Sequence, residues 1–200
     1  MTNALRNLVA VLAITALLFS ATKASGADAP FSIERLMGEI AQASVGEAAF
    51  RETRYSSALK APLESSGVLR FKRPDFLEKQ VNEPYFDRFA VEGDRVTLER
   101  SKGAKPITIS LASQPVLQAF IESIRGTLRG DLATLRRYYR VELEGVSTAW
   151  TVVLLPTDVD VGGLVRMIRI GGRGNRMLTV EVQEASGDRS LLRIVEPKTQ

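Results

Sequence analysis

The sequence predicts a mainly β protein of the α+β class, built on a large curved antiparallel sheet with few helices. Three observations carry that reading. From Glu47 onward the apolar residues recur with a period of two rather than 3.6. The runs are separated by Gly93-Asp94, Lys102-Gly103, Glu144-Gly145, Gly171-Gly172 and Gly187-Asp188, which are hairpin turn signals. Helical spacing occurs only in short stretches.

The N-terminus sets Arg6 ahead of an apolar run from Leu8 to Phe19, with Ala24-Ser25-Gly26-Ala27 before Asp28. This is the order of a secretory signal peptide over residues 1–27, and it leaves residues 28–200 as one domain. The alternative is a retained membrane anchor, but the run is shorter than the roughly 20 residues that span a bilayer. No later segment is apolar for long enough to cross a membrane.

Composition excludes several classes of function. The chain has no Cys, so it forms no disulfide and carries no lipid on an N-terminal Cys. It has no His, which removes the usual acid–base group near neutrality and the commonest metal ligand. The formal charge is +4, and Arg6 and Lys23 fall in the leader, so the small excess that remains does not point to nucleic acid. No cofactor, metal or catalytic residue is expected.

Taken in order, Ser32 is positioned to cap a helix over Ile33–Ser44 whose apolar face is Ile33, Leu36, Met37 and Ile40. Strands are expected at 47–57, 66–73, 76–81, 84–91, 94–101 and 105–111. Ser113 can cap a second helix with Pro115 in its first turn and an apolar stripe of Leu117, Phe120, Ile121, Ile124 and Leu128. Gly130-Asp131 ends that helix and caps a third, Leu132 to about Arg137. Strands return at 138–144, 148–155, 164–170, 176–184 and 189–195. Hairpin connections imply a meander, with one greasy and one wet face.

Eleven strands make a long sheet, and three short helices cannot fill its concave side. Either the sheet closes into a barrel with a packed interior, or it stays partly open around a cavity. Leu69 and Phe71, Val96 and Leu98, Ile107 and Ile109, and Trp150, Val152 and Leu154 are expected to line that face. Leu117, Phe120, Ile121 and Ile124 should close over them as a lid.

Phe50-Arg51-Glu52 opens the first strand, and Ser66-Gly67-Val68-Leu69-Arg70-Phe71-Lys72-Arg73-Pro74-Asp75 follows. This pattern resembles the LolA-type periplasmic lipoprotein carriers. The resemblance implies an open half-barrel covered by helices, acting as a monomer in the periplasm. It also implies a cargo of acyl chains from a lipoprotein or another lipid, taken from an inner-membrane transporter and passed to an outer-membrane acceptor. Arg73, within Lys72-Arg73-Pro74, would latch the lid by hydrogen-bonding its carbonyls. Two departures point to a related branch with another lipid cargo. Val91-Glu92-Gly93-Asp94-Arg95-Val96 lacks the family's usual residues before an aromatic strand, and Arg is frequent where aromatics are few. The alternative from a different class is an envelope scaffold or adaptor that carries nothing and binds protein partners.

Other patterns weigh less. Gly171-Gly172-Arg173-Gly174-Asn175 would cradle phosphate only if a helix followed, and a strand is expected. Asp158 and Asp160 offer too few oxygens for calcium. Arg136-Arg137-Tyr138-Tyr139-Arg140 mixes bases and aromatics as RNA binders do, but reads as a helix end entering a strand. Glu142 and Glu144 alternate with Val141 and Leu143 as a solvated face does.

Overall fold

A computed structural model describes residues 30–42 and 46–195. The expected leader, its cleavage site and Ser44 lie outside the described residues. The first helix is α1 (Ile33–Gln42). Six strands follow: β1 (Glu47–Tyr55), β2 (Leu63–Lys72), β3 (Phe76–Glu83), β4 (Asp87–Glu92), β5 (Arg95–Glu99) and β6 (Ile107–Ser110). Then come α2 (Pro115–Arg129), α3 (Leu132–Tyr138), β7 (Tyr139–Val146) and β8 (Ala149–Pro156). A short α4 (Val159–Gly162), β9 (Val165–Arg173), β10 (Arg176–Glu184) and β11 (Arg189–Val195) complete the fold. From Phe31 onward the described residues form one compact unit.

All strands belong to one antiparallel sheet ordered β6-β5-β4-β3-β2-β1-β11-β10-β9-β8-β7. The chain runs outward from β1 to one edge, crosses to the other edge through α2 and α3, and returns until β11 pairs with β1. With β6 and β7 as edges the sheet is open, a half-barrel rather than a closed one. Helices α1, α2 and α3 bury their apolar stripes against its inner face.

The outer face is wet and charged. Glu47, Arg70, Glu78, Arg88 and Glu99 form a chain of ion pairs across β1 to β5. Glu78 is buried among them. Burial pushes its carboxyl up, but the hydrogen bonds from Arg70 and Arg88 outweigh that and hold it below the ordinary carboxylate range. Glu142 and Glu144 pair with Arg140 and Arg169, as a solvated face would.

Several expectations need correction. Ser113 does not cap α2: it lies in a 3-10 turn, Leu111–Ser113, and its hydroxyl donates to Ser110 O at 2.7 Å. Gln114 holds the cap position and makes no side-chain bond there. Gly145 and Gly171-Gly172 lie inside strands, and the reversals fall at Ser147-Thr148 and Gly174-Asn175. Gly172 sits opposite Trp150, and a Cβ there would come within 2.3 Å of the indole ring. Its demand is for space rather than a turn. Helix α4 was not expected. Asp158 caps it by accepting from the Asp160 and Val161 amides at 2.9 and 3.1 Å, a structural use of a pair considered for calcium.

Other local expectations hold. The Ser32 hydroxyl accepts from Arg35 N at 3.2 Å. Gly130 ends α2 at φ 69°, and the Asp131 carboxylate accepts from Thr134 N at 2.9 Å to start α3. The Arg136–Arg140 run is the end of α3 entering β7, with Arg136 paired to Glu34.

Candidate functional site

Strand register places every expected lining residue on the helix-covered face. Phe71, Leu77, Val91, Val96 and Ile109 form one row across β2 to β6, each opposite the next. Leu69, Lys79, Phe89, Leu98 and Ile107 form the row beside it. On the other half, Val152, Ile170, Val180 and Leu192 align across β8 to β11. Leu154, Ile168 and Val182 run parallel to them. Trp150 caps the end of that half, its Nε1 donating to Gly174 O at 2.8 Å.

Two clusters of packed side chains occupy this face. One joins α1 (Leu36, Met37, Ile40) and Leu135 to Trp150, Val152, Leu154, Ile168 and Ile170. The other joins Ile121 to Val91, Val96 and Leu111, with Leu117, Leu98 and Ile109 at its margin. Phe120 touches both and bridges them. Ile121, Phe120 and Leu117 pack together on the sheet, whereas Ile124 is half-buried and belongs to neither cluster. Ile107 has the right orientation but stands at the sheet's edge, 58% exposed.

The expected open hollow is not what this conformation contains. Val96, Val152 and Leu154 are fully buried beneath the helices, because the helices' own apolar side chains fill the space. Two clefts of about 610 and 460 Å³ lie elsewhere. One follows the turn around Gly93 and Ser110, and the other lies beside Arg51, Ser66 and Glu83. Between the clusters, the central strands carry a half-buried strip that includes Leu69, Val81 and Ile194. An ion pair, Lys79 Nζ to Glu52 Oε2 at 2.5 Å, crosses this strip, and the ammonium stands 5.3 Å over the Phe50 ring. The face is thus apolar with one charged pair near its centre, which alternation alone did not reveal.

Two arginines tie the helices to the same hairpin turn. Arg73 Nη2 donates to Ala41 O in the last turn of α1 at 2.6 Å. A helix C-terminus has unsatisfied carbonyls and partial negative charge, so a guanidinium there meets both demands. The carbonyl it meets belongs to α1, not to the 115–129 helix assigned as the lid. Arg125 was missed by sequence reasoning. Its side chain is 4% exposed; Nη2 donates to Asp75 O at 2.6 Å and Gly93 O at 3.0 Å, and Nη1 donates to Glu122 at 3.1 Å. Its signal was present: Arg125 lies four residues after Ile121, on the buried stripe of α2. Next to it, Gly126 packs on Leu135, and Gly130 lies so close to α1 that a Cβ would sit 2.1 Å from Met37 O.

Among the described residues no group of three or more acidic side chains could hold an ion. Tyr139 is buried, its hydroxyl 3.4 Å from Ala119 O, and burial pushes its phenol up. The arrangement is a largely apolar concave sheet under helices fastened at one end.

A family model described as outer membrane lipoprotein carrier protein LolA-like matches residues 23–194, and the chain belongs to that family. A curated relative from Methylibium petroleiphilum, named outer-membrane lipoprotein carrier protein, is 28% identical over 171 residues, covering 84% of this chain and 79% of the relative. Among solved structures, a LolA superfamily protein from Nitrosomonas europaea aligns with a TM-score of 0.45 at 10% identity, covering 83% of this chain and 92% of the other. The Mycobacterium tuberculosis lipoprotein LppX aligns at 0.39 and 11% identity, covering 82% and 97%. The MucA/MucB complex of Pseudomonas aeruginosa aligns at 0.41 and 11%, covering 84% and 59%. Among the described residues no helix is long and apolar enough to cross a membrane.

Proposed function

We propose that this protein is a soluble periplasmic carrier that takes up acyl chains of a lipoprotein, or of another lipid, and moves them toward the outer membrane. The observation that carries the reading is the concave face, apolar apart from the Lys79–Glu52 pair, beneath helices tied to the turns at Asp75 and Gly93 and to Arg73. In the described conformation the helices pack on that face. Cargo would replace the lid's side chains on the sheet once α1 and α2 move away.

The energetics suit that exchange. Each buried methylene contributes about 0.8 kcal/mol, so a long acyl chain gains roughly 10 kcal/mol gross. Opening exposes lid and sheet to water first, which offsets much of that gain and keeps release feasible. A latch lowers apparent affinity further, because only the open population binds. Arg73 would supply such a bias through its bond to Ala41 O. Loading would come from an inner-membrane transporter, and delivery would go to an outer-membrane acceptor.

Native mass spectrometry of protein isolated without detergent tests the reading. A carrier brings bound lipid or takes up a fluorescent acyl probe when delipidated. Bare protein that binds no acyl probe would overturn it.

A further inference from the structure

Of the nine large apolar side chains that stand exposed among the described residues, most gather at one end of the half-barrel, opposite the turn held by Arg73 and Arg125. Three hairpin loops lie side by side there: 56–62 between β1 and β2, 84–86 between β3 and β4, and 100–106 between β5 and β6. With strands about 4.8 Å apart, these loops span roughly 20 Å of rim. At or beside their tips stand Tyr85 (81% exposed), Leu59 (42%), Leu63 (43%) and Ile107 (58%).

The same three loops carry Lys60, Arg100, Lys102 and Lys105, and no Asp or Glu. None of these four cations is in an ion pair among the described residues. Of the acids at the neighbouring strand ends, Glu64 bonds Thr53, Glu83 bonds Ser66 and Glu99 accepts from Gly103 N, while Asp87 at the start of β4 is the one acid beside these loops outside those contacts. The other half of the rim has the opposite charge, though it also exposes Val159 and Leu164. Its loops, 157–164 and 185–188, carry Asp158, Asp160 and Asp188 and no Lys or Arg. By register, Leu63 and Ile107 also belong to the concave face, so that face runs out to this rim.

We infer that the rim formed by loops 56–62, 84–86 and 100–106 docks on an anionic lipid surface. An exposed aromatic and aliphatic side chains can seat in the headgroup layer while the flanking cations meet anionic headgroups. The acidic half is repelled, which tilts the molecule so that the greasy face meets the bilayer where Leu63 and Ile107 reach the rim. The loop tips lie beyond the strands of the concave face, and the inference stands whether or not the protein carries lipid.

The test uses the processed protein, without the apolar leader, and vesicles of phosphatidylcholine alone or mixed with phosphatidylglycerol. Cosedimentation is expected only with the mixed vesicles and should fade at high salt. At about 1 kcal/mol per basic residue, the triple variant Lys60→Ser, Lys102→Ser, Lys105→Ser should bind roughly a hundredfold more weakly. Tyr85→Ser should weaken binding with no change in salt dependence. Circular dichroism and melting must match the wild type, since every substituted site is exposed. Acyl-probe uptake without vesicles reports the carrier reading separately and should be unaltered in the variants. Wild-type protein that ignores anionic vesicles would overturn the inference and assign the rim to a protein partner. Equal binding by the triple variant would also overturn it.

Discussion

Replacing Arg73 with Leu removes the 2.6 Å bond to Ala41 O while keeping the aliphatic stem. A hydrogen bond from an exposed cation to the end of a helix is worth about 1–1.5 kcal/mol. If open and closed states exchange and the open one is scarce, that difference raises the open population roughly five- to tenfold, since 1.4 kcal/mol is tenfold in an equilibrium. Apparent affinity follows the population in direct proportion. Arg73 has at least one further interaction, so the single bond sets the lower end of the effect. Titration of delipidated protein with a fluorescent fatty acid should therefore give a dissociation constant at least fivefold lower for the variant, with slower hand-off to acceptor vesicles. The fold itself should persist, because the side chain is exposed. Affinity and hand-off within twofold of the wild type would refute the idea that Arg73 restrains opening.

Arg125→Met should behave differently. It leaves Asp75 O and Gly93 O without their donor and Glu122 without one of its partners in a buried setting, at a cost of about 3–5 kcal/mol. Melting should fall by roughly 10 °C or more for a domain of this size, and a wild-type melting curve would remove Arg125 from the account. Gly130→Ala places a side chain at φ 69° and against Met37 O, so it should destabilise by about 2 kcal/mol or more, read by urea denaturation. Glu78, Asp94 and Asp131 all have carboxyls held below the ordinary range. A folded-state value below the unfolded one means that the stabilisation is present above the unfolded value and is lost as pH falls through the folded one. Melting temperature should hold near neutrality and decline below about pH 4, and a flat profile to about pH 3 would contradict those contacts.

Much of the fold was legible because period-two alternation and turn residues are local signals. All eleven strands occur where alternation placed them, with ends moved by a few residues. The strand expected from 84 begins at Asp87 because residues 84–86 form the loop. Glycines misled where their role was spatial: Gly172 makes room for Trp150 rather than a turn. Helix α4, at four residues, is too short to show a helical period, though Asp158 carried its cap signal. The pairing of β1 with β11 joins residues far apart in sequence, and no local pattern encodes it.

The site was partly legible for the same reasons. Alternation identified which residues share the concave face, but not that side chains of α1, α2 and α3 fill it. Arg125 escaped because a charge on an apolar stripe is normally read as solvated, and only the fold brings the two turn carbonyls to it. The Glu52–Lys79 pair escaped because its partners sit on β1 and β3, with β2 between them.

Trp150, the single tryptophan, lies 2% exposed on the concave face and offers the most direct test of the whole account. Its fluorescence should be quenched, saturably, by fatty acids brominated along the chain, and at lower concentration in Arg73→Leu than in the wild type. Brominated chains that bind the protein yet leave Trp150 unquenched at saturation would place the cargo elsewhere and contradict an acyl-binding face beneath the helices.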